Sequence, residues 1–199
     1  MSPEIADAEL VERAQGGDRA AFGELVLRHQ QRVFAALVGL LGCPEEARDA
    51  AQDAFVQAWR KLGAFRGEAQ FATWLYRIAM NEGLTRRRRR RPTVSLDHQK
   101  EHAGAEPIDP AGDSTRTLAA AEEVAHVRAA LAELPDDQRQ ILVLREMEGC
   151  SYDDIAEVLA LPIGTVRSRL FRARMQLREM LQMKLDETGS RRRDRSQTS

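Results

Sequence analysis

The chain has 199 residues, and 30 Lys and Arg stand against 31 Asp and Glu for a net charge of −1, so bulk electrostatics select no partner. At 43% hydrophobic and 5% aromatic, with Ala, Leu, Arg and Glu dominating, the composition excludes wholesale disorder and favours helices over strands. No apolar stretch reaches the roughly 18 residues of a membrane span, and Met1-Ser2-Pro3-Glu4 opens with neither a basic head nor an apolar run, so a cytoplasmic protein without membrane insertion is expected.

Phe22, Leu25, Val26, Val33, Leu37 and Leu41 recur at helical spacing until Gly42 and Pro44 break the pattern. A second stripe follows at Ala47, Ala51, Ala54, Phe55, Ala58, Trp59 and Leu62, with Asp49, Asp53 and Gln57 on its other face. After Gly63 and Gly67, a third helix is predicted from about Ala69 to Arg90, with Leu75, Ile78 and Ala79 inward. Phe71, Trp74 and Tyr76 spread around the helical wheel, so at least one of them should be partly exposed.

Prolines, glycines and acidic residues remove all periodicity over 92–116, which reads as an extended linker. Beyond it, Leu118, Val124, Val127, Leu131 and Leu134 make one helix, closed by Pro135. Asp136 and Asp137 open another, whose run Ile141-Leu142-Val143-Leu144 implies burial on most sides before Gly149 stops it. Ser151 with Asp154 three positions on is an N-cap signature for a short helix carrying Ile155, Ala156 and Leu159. After Ala160-Leu161-Pro162 comes a long helix with Ile163, Val166, Leu170, Leu177, Leu181 and Leu185 inward. The expectation is an all-α chain of two small helical domains, 1–91 and 117–185, joined by a flexible linker at 92–116 and followed by a disordered tail at 186–199.

Charge is strongly segregated beneath its near-zero total. Residues 71–91 carry +6 and residues 162–185 carry +5, whereas 92–134 and 135–161 each carry −5. Two basic blocks imply two places that face a polyanion. The second falls on a capped helix, a three-residue turn and an Arg-bearing helix, the pattern of a helix-turn-helix. Thr165, Arg167, Ser168, Arg169, Arg172 and Arg174 lie mostly outside its buried stripe, where hydroxyls and guanidiniums reach base edges and phosphates.

Ser151-Tyr152-Asp153-Asp154-Ile155-Ala156, with Pro162-Ile163-Gly164-Thr165-Val166-Arg167-Ser168-Arg169-Leu170-Phe171-Arg172-Ala173-Arg174, resembles region 4 of bacterial extracytoplasmic-function (ECF) sigma factors. Asp49-Ala50-Ala51-Gln52-Asp53-Ala54-Phe55 resembles the family's polymerase-binding helix. Phe65-Arg66-Gly67-Glu68 and Phe71-Ala72-Thr73-Trp74-Leu75-Tyr76-Arg77-Ile78-Ala79-Met80-Asn81 resemble its minus-ten recognition and melting segment. Ala160 departs from the Gly usual in the family's turn.

The resemblance implies a sigma factor that directs RNA polymerase core to promoters and melts them. It places Asp49, Gln52, Asp53 and Gln57 against the polymerase, and Arg66, Gln70, Thr73, Trp74, Arg77, Asn81, Arg86 and Arg87 at the minus-ten element. Thr165, Arg167, Ser168, Arg169, Arg172 and Arg174 would meet the minus-thirty-five element. It further implies an anti-sigma factor as a partner. The alternative is an autonomous helix-turn-helix activator or repressor. No phosphate-binding loop, His-Glu-x-x-His helix or Cys-x-x-Cys pair is present, so no enzyme, small-molecule substrate, cofactor or metal is expected. His98 and His102 have metal-like spacing but lie in the linker; Cys43 and Cys150 are expected as reduced thiols.

Overall fold

The computed structural model describes residues 5–90, 124 and 126–196, so the linker, with His98 and His102, and Leu118 of the helix expected after it lie outside the described residues. Among the described residues every regular element is helical. The first helix, α1 (Asp7–Gln15), is one that periodicity did not single out; it buries Leu10, Val11 and Ala14. A turn through Gly17 (φ 96°) leads to Asp18, whose Oδ1 accepts from the amides of Ala20 (2.9 Å) and Ala21 (3.1 Å) and caps α2 (Arg19–Leu41). Gly42, in the left-handed region at φ 76°, ends α2 by donating its N–H to the Val38 carbonyl at 2.8 Å.

Pro44 supplies the first turn of α3 (Pro44–Lys61), which needs no backbone donor there. The buried face of α3 is mostly alanine (Ala47, Ala50, Ala51, Ala54, Ala58), so α3 lies close against α2 and α4. A short 3₁₀ turn (Leu62–Ala64) and a loop over 65–70 precede α4 (Phe71–Arg90). Helices α2 and α4 cross where Gly83 faces Leu37 and Leu40. A Cβ at that position would lie 2.7 Å from Leu40 Cδ2.

In the second half, α5 (126–133) ends before Pro135, and Asp136 and Asp137 then open α6 (Asp136–Leu142) as expected from helix-dipole complementarity. The ladder of α6 widens to a π turn (Val143–Met147), and Ile141, Leu142, Val143 and Leu144 are all buried, as their unbroken apolar run implies. Gly149 (φ 69°) redirects the chain into α7 (Tyr152–Leu159). Ser151 and Asp154 form a complete capping box at its start. The αL residue Ala160 (φ 51°) turns the chain into α8 (Ile163–Ser196). Because α8 runs on to Ser196, residues 186–196 are helical rather than the disordered tail expected; no proline interrupts them.

The two halves do not stand apart. Helix α2 packs against α6 and the π turn, α4 packs against α7, and buried residues of both halves form one apolar cluster. This packing corrects the expectation about the α4 aromatics: Phe71 (4% exposed), Trp74 (8%) and Tyr76 (4%) are all buried. Their spread around the wheel is accommodated because α4 is covered by α1, α2 and α3 from its own half and by α7 from the other.

Candidate nucleic-acid interface

In the helix-turn-helix formed by α7 and α8, Val166 and Leu170 are buried where α8 packs on α6 and α7, which fixes the rotation of α8 about its axis. That rotation leaves Arg167, Ser168, Phe171 and Arg172 exposed in the first turns of α8, with Thr165 half-buried. Ser168 Oγ donates to the Thr165 carbonyl (3.1 Å) and Arg172 Nε to the Ser168 carbonyl (3.3 Å). Two of the expected minus-thirty-five residues are tied to acids of their own half. Arg174 is held by Glu146 at 2.6 Å, and Arg169 lies 3.8 Å from Asp137. The exposed cluster is therefore Arg167, Ser168 and Arg172, at an N-terminal helix end suited to a phosphate backbone and a major groove.

The other basic block lies on α4. Arg77, Asn81 and Arg88 are exposed and step along one side of the helix, with Arg89 exposed next to them. Arg86, expected to meet DNA, pairs instead with Asp53 of α3 and with Glu82 (3.3 Å), and lies 4.0 Å from Asp49. Arg87 pairs with Asp136 of α6 at 2.5 Å and donates to the Leu40 carbonyl. Thr73 is 5% exposed and donates to Asp154 at 3.1 Å. Trp74 is a core residue in this arrangement, its ring 5.0 Å from that of Phe65 and 5.8 Å from that of Phe71. Thr73, Trp74, Arg86 and Arg87 thus do not form a free surface; apart from Glu82, one helical turn from Arg86, their partners lie 33 to 81 residues away or in the aromatic core, where local pattern does not reveal them.

Ahead of α4, the loop bearing Arg66 and Gln70 is exposed but anchored. Gln15 Nε2 donates to the carbonyls of Leu62 (2.9 Å) and Phe65 (2.8 Å), holding the loop's start on α1. Phe65 packs beneath the loop on Phe71 and Trp74. A shallow cavity of about 390 Å³ lies between this loop and α1, lined by Gln15, Phe65, Arg66, Gly67, Gln70 and Phe71. The loop is thus exposed on a fixed base beside this cavity, whose lining also includes Asp7 and Glu12 of α1.

On α3, Asp49 and Gln52 are exposed, and Asp53 and Gln57 half-exposed. Beside them runs a feature that sequence reasoning missed, an open groove of about 960 Å³ between α2 and α3 lined by Phe22, Val26, Phe34, Phe55, Val56 and Trp59. Trp59, placed by periodicity in the buried stripe, is 37% exposed and packs on Phe22 with ring centroids 4.9 Å apart. The available signal was Phe22 and Phe34, aromatics twelve residues apart on a helix with few others.

Two buried polar groups were also missed. Glu148 accepts from the Tyr76 hydroxyl at 2.5 Å and lies 3.4 Å from Arg32. Burial, and then the Glu148 carboxylate, pushes the Tyr76 phenol well above its usual range, so it stays a donor. Arg139 is 1% exposed and donates to the carbonyls of Leu40, Ala132 and Leu134. Among the described residues no His, Cys, Asp and Glu cluster is placed to hold a metal ion, no helix is long and apolar enough to cross a membrane, and both cysteines are free.

Among the described residues the chain is all helical, with a capped helix-turn-helix in one half and a second basic helix in the other, an architecture of the DNA-binding class. Residues 25–93 match sigma-70 region 2 and residues 126–177 match sigma-70 region 4. The chain is similar to the RNA polymerase sigma-H factor of Pseudomonas aeruginosa, 43% identical over 94% of this chain and all of that protein. It is also similar to the ECF RNA polymerase sigma-E factor of Escherichia coli K12, 40% identical over 87% of this chain and 93% of that protein. Among solved structures it is similar to CnrH, in complex with the cytosolic domain of CnrY, at a TM-score of 0.69 and 29% identity over 90% of this chain and 99% of CnrH. The sigma factor RpoE in complex with the anti-sigma factor NepR, from Bartonella quintana, matches at 0.66 and 26% over 81% and 96%. The chain belongs to the sigma-70 family of RNA polymerase sigma factors and, within it, to the ECF type; it is a transcription initiation factor, not an enzyme.

Proposed function

We propose that this sigma factor divides its work between its halves, with residues 1–91 binding RNA polymerase core and opening the minus-ten element while residues 117–185 hold the minus-thirty-five element. The observation that carries this reading is the coexistence of three distinct exposed surfaces. They are the Arg167, Ser168 and Arg172 cluster on α8, the Arg77, Asn81, Arg88 and Arg89 surface of α4, and the acidic-apolar face of α3. Polymerase core meets Asp49, Gln52, Asp53 and Gln57, with the Phe22–Trp59 groove beside them supplying apolar area. Arg66 and Gln70 of the anchored loop and Asn81 of α4 contact minus-ten bases, since an amide both donates and accepts at a base edge. Arg77, Arg88 and Arg89 hold the phosphate backbone.

The protein acts in the cytoplasm, where polymerase and promoter DNA are. An anti-sigma factor is its regulatory partner, a reading supported by the similarity to RpoE, whose structure was solved with NepR. The test is run-off transcription from a genomic library by core polymerase with and without this chain, with the products sequenced. A set of transcripts sharing spaced upstream elements and absent without the chain supports the reading; the same transcripts with core alone would overturn it.

A further inference from the structure

No residue of α1 has a part in the contacts proposed above, yet this helix is fixed at both ends. At its start Asp7 is held by Arg28 (3.1 Å) and His29 (2.6 Å) of α2. At its end the amides of Gly17 and Asp18 donate back to the carbonyls of Ala14 and Arg13, both at 3.0 Å. Between the two ends Leu10, Val11 and Ala14 join the core. From this platform Gln15, the last residue of α1, bonds to groups 47 and 50 residues further along the chain.

Its carboxamide nitrogen donates to the Leu62 carbonyl (2.9 Å) and to the Phe65 carbonyl (2.8 Å). The Leu62 carbonyl already accepts from the Phe65 amide at 3.0 Å, which closes the 3₁₀ turn, and Gln15 takes its second lone pair. Phe65 directly precedes the exposed Arg66, so this amide sets the direction in which the chain leaves the turn. The far end of the loop is set by Phe71, whose ring lies 5.4 Å from that of His29 and 6.1 Å from that of Phe65. Between the two supports Arg66, Gly67, Glu68 and Gln70 are exposed.

We propose that Gln15 is a positioning residue for promoter opening: by fixing the Leu62 and Phe65 carbonyls it holds the 66–70 loop in the arrangement that receives unpaired minus-ten bases. Gln15 acts through Arg66 and Gln70, so the proposal rests on the reading of that loop as a minus-ten contact. Its physical basis is preorganisation. A loop that is already ordered loses less freedom when it takes up a strand, and one side chain here orders two backbone groups. Duplex binding through α8 and the arginines of α4 does not pass through this loop. Loss of the Gln15 donors therefore weakens strand capture and leaves closed-complex binding intact.

The test uses holoenzyme assembled from core polymerase and the full-length chain, on a promoter recovered by the run-off experiment. Gln15→Met keeps the length of the side chain without its donors; Gln15→Asn keeps the amide but falls a methylene short of the two carbonyls. Asp18→Ala removes the cap of α2 at the same corner but no bond to the loop, and controls for lost stability. Melting temperatures verify that each variant folds. Three quantities are then read: duplex binding by gel shift in the cold, anisotropy of a labelled single-stranded minus-ten oligonucleotide, and the rate at which minus-ten thymines become reactive to permanganate. Both Gln15 variants should bind the duplex as the wild type does, while strand binding and opening rate fall about tenfold, the scale of the two neutral hydrogen bonds removed. They should also discriminate less than the wild type among bases substituted in the oligonucleotide. Asp18→Ala should leave all three quantities unchanged.

Gln15 variants that capture the strand and open the promoter as the wild type does would overturn the proposal. A defect shared equally by Asp18→Ala would do the same, by reducing Gln15 to a stability role, and so would a loss confined to duplex binding. The wild-type holoenzyme separates the failures. Normal permanganate reactivity with it, beside unaffected Gln15 variants, refutes the positioning role and leaves the minus-ten reading standing; thymines that stay unreactive with it remove that reading and the proposal together.

Discussion

Ala160 occupies the turn of the helix-turn-helix at φ 51° and ψ 48°, a backbone conformation in which a Cβ is strained. It is the one non-glycine residue with positive φ among the described residues. Ala160→Gly removes that strain and adds unfolded-state entropy, so a net gain of about 0.5–1 kcal/mol is expected, read as a rise of a few degrees in the melting temperature. A fall would show that the turn needs the methyl group. At the other end of α7, Ser151→Ala removes the capping hydroxyl and should cost about 1 kcal/mol in chemical denaturation. The Ser151 hydroxyl also holds the Asp154 carboxyl below the ordinary carboxylate range, with the Ser151 amide and Thr73 adding to it. Because the folded value lies below the unfolded one, this contribution is complete above about pH 5 and is lost as pH falls through the folded value. The Ser151→Ala penalty should therefore shrink in acid titration of stability. Burial, followed by Asp154 and Glu148, pushes the Cys150 thiol up to about 11. Native-state alkylation of Cys150 at pH 8 should be slow and should rise about tenfold per pH unit toward that value; a plateau near pH 8 would contradict it.

At the scale of elements, the proposed function assigns different kinds of DNA contact to α8 and α4. Arg167→Ala and Arg172→Ala should each weaken binding of holoenzyme to a minus-thirty-five element by about 1–3 kcal/mol when the arginine reads a base, with relaxed specificity at one position. Arg88→Ala and Arg89→Ala should weaken promoter binding evenly across sequences and lower the salt slope by about one each, as loss of a phosphate contact does. Filter binding across a salt series distinguishes the two behaviours. Period and capping made most of these elements legible in the sequence, from the Gly42-Pro44 break to the Ser151 capping box and the inward Val166. Helix α1 was not legible, because Leu10, Val11 and Ala14 are too few to outline a stripe in nine residues. The burial of Thr73 and Tyr76 was not legible either, since their partners Asp154 and Glu148 lie 81 and 72 residues away in the chain, and Trp74 is buried on Phe65 and Phe71. A helical wheel has no term for a second partner.

Across the whole molecule, the charge alternation was legible as two basic blocks, but its self-complementarity was not. Pairings such as Arg87 with Asp136 and Tyr76 with Glu148 depend on how the halves dock, which no local pattern encodes. The same docking explains why several expected DNA contacts are occupied while Arg77, Asn81, Arg88, Arg89, Arg167 and Arg172 remain exposed. The central claim is that sequence-specific promoter binding belongs to the complex with polymerase and not to this chain alone. The direct measurement is a gel shift of a promoter fragment recovered from the run-off library, titrated with the chain in the presence and absence of core. Specific retardation that requires core, and is lost when Asp49→Lys and Asp53→Lys are combined, is the result the account predicts. Equally tight and specific retardation by the chain without core would contradict it and favour an autonomous helix-turn-helix regulator.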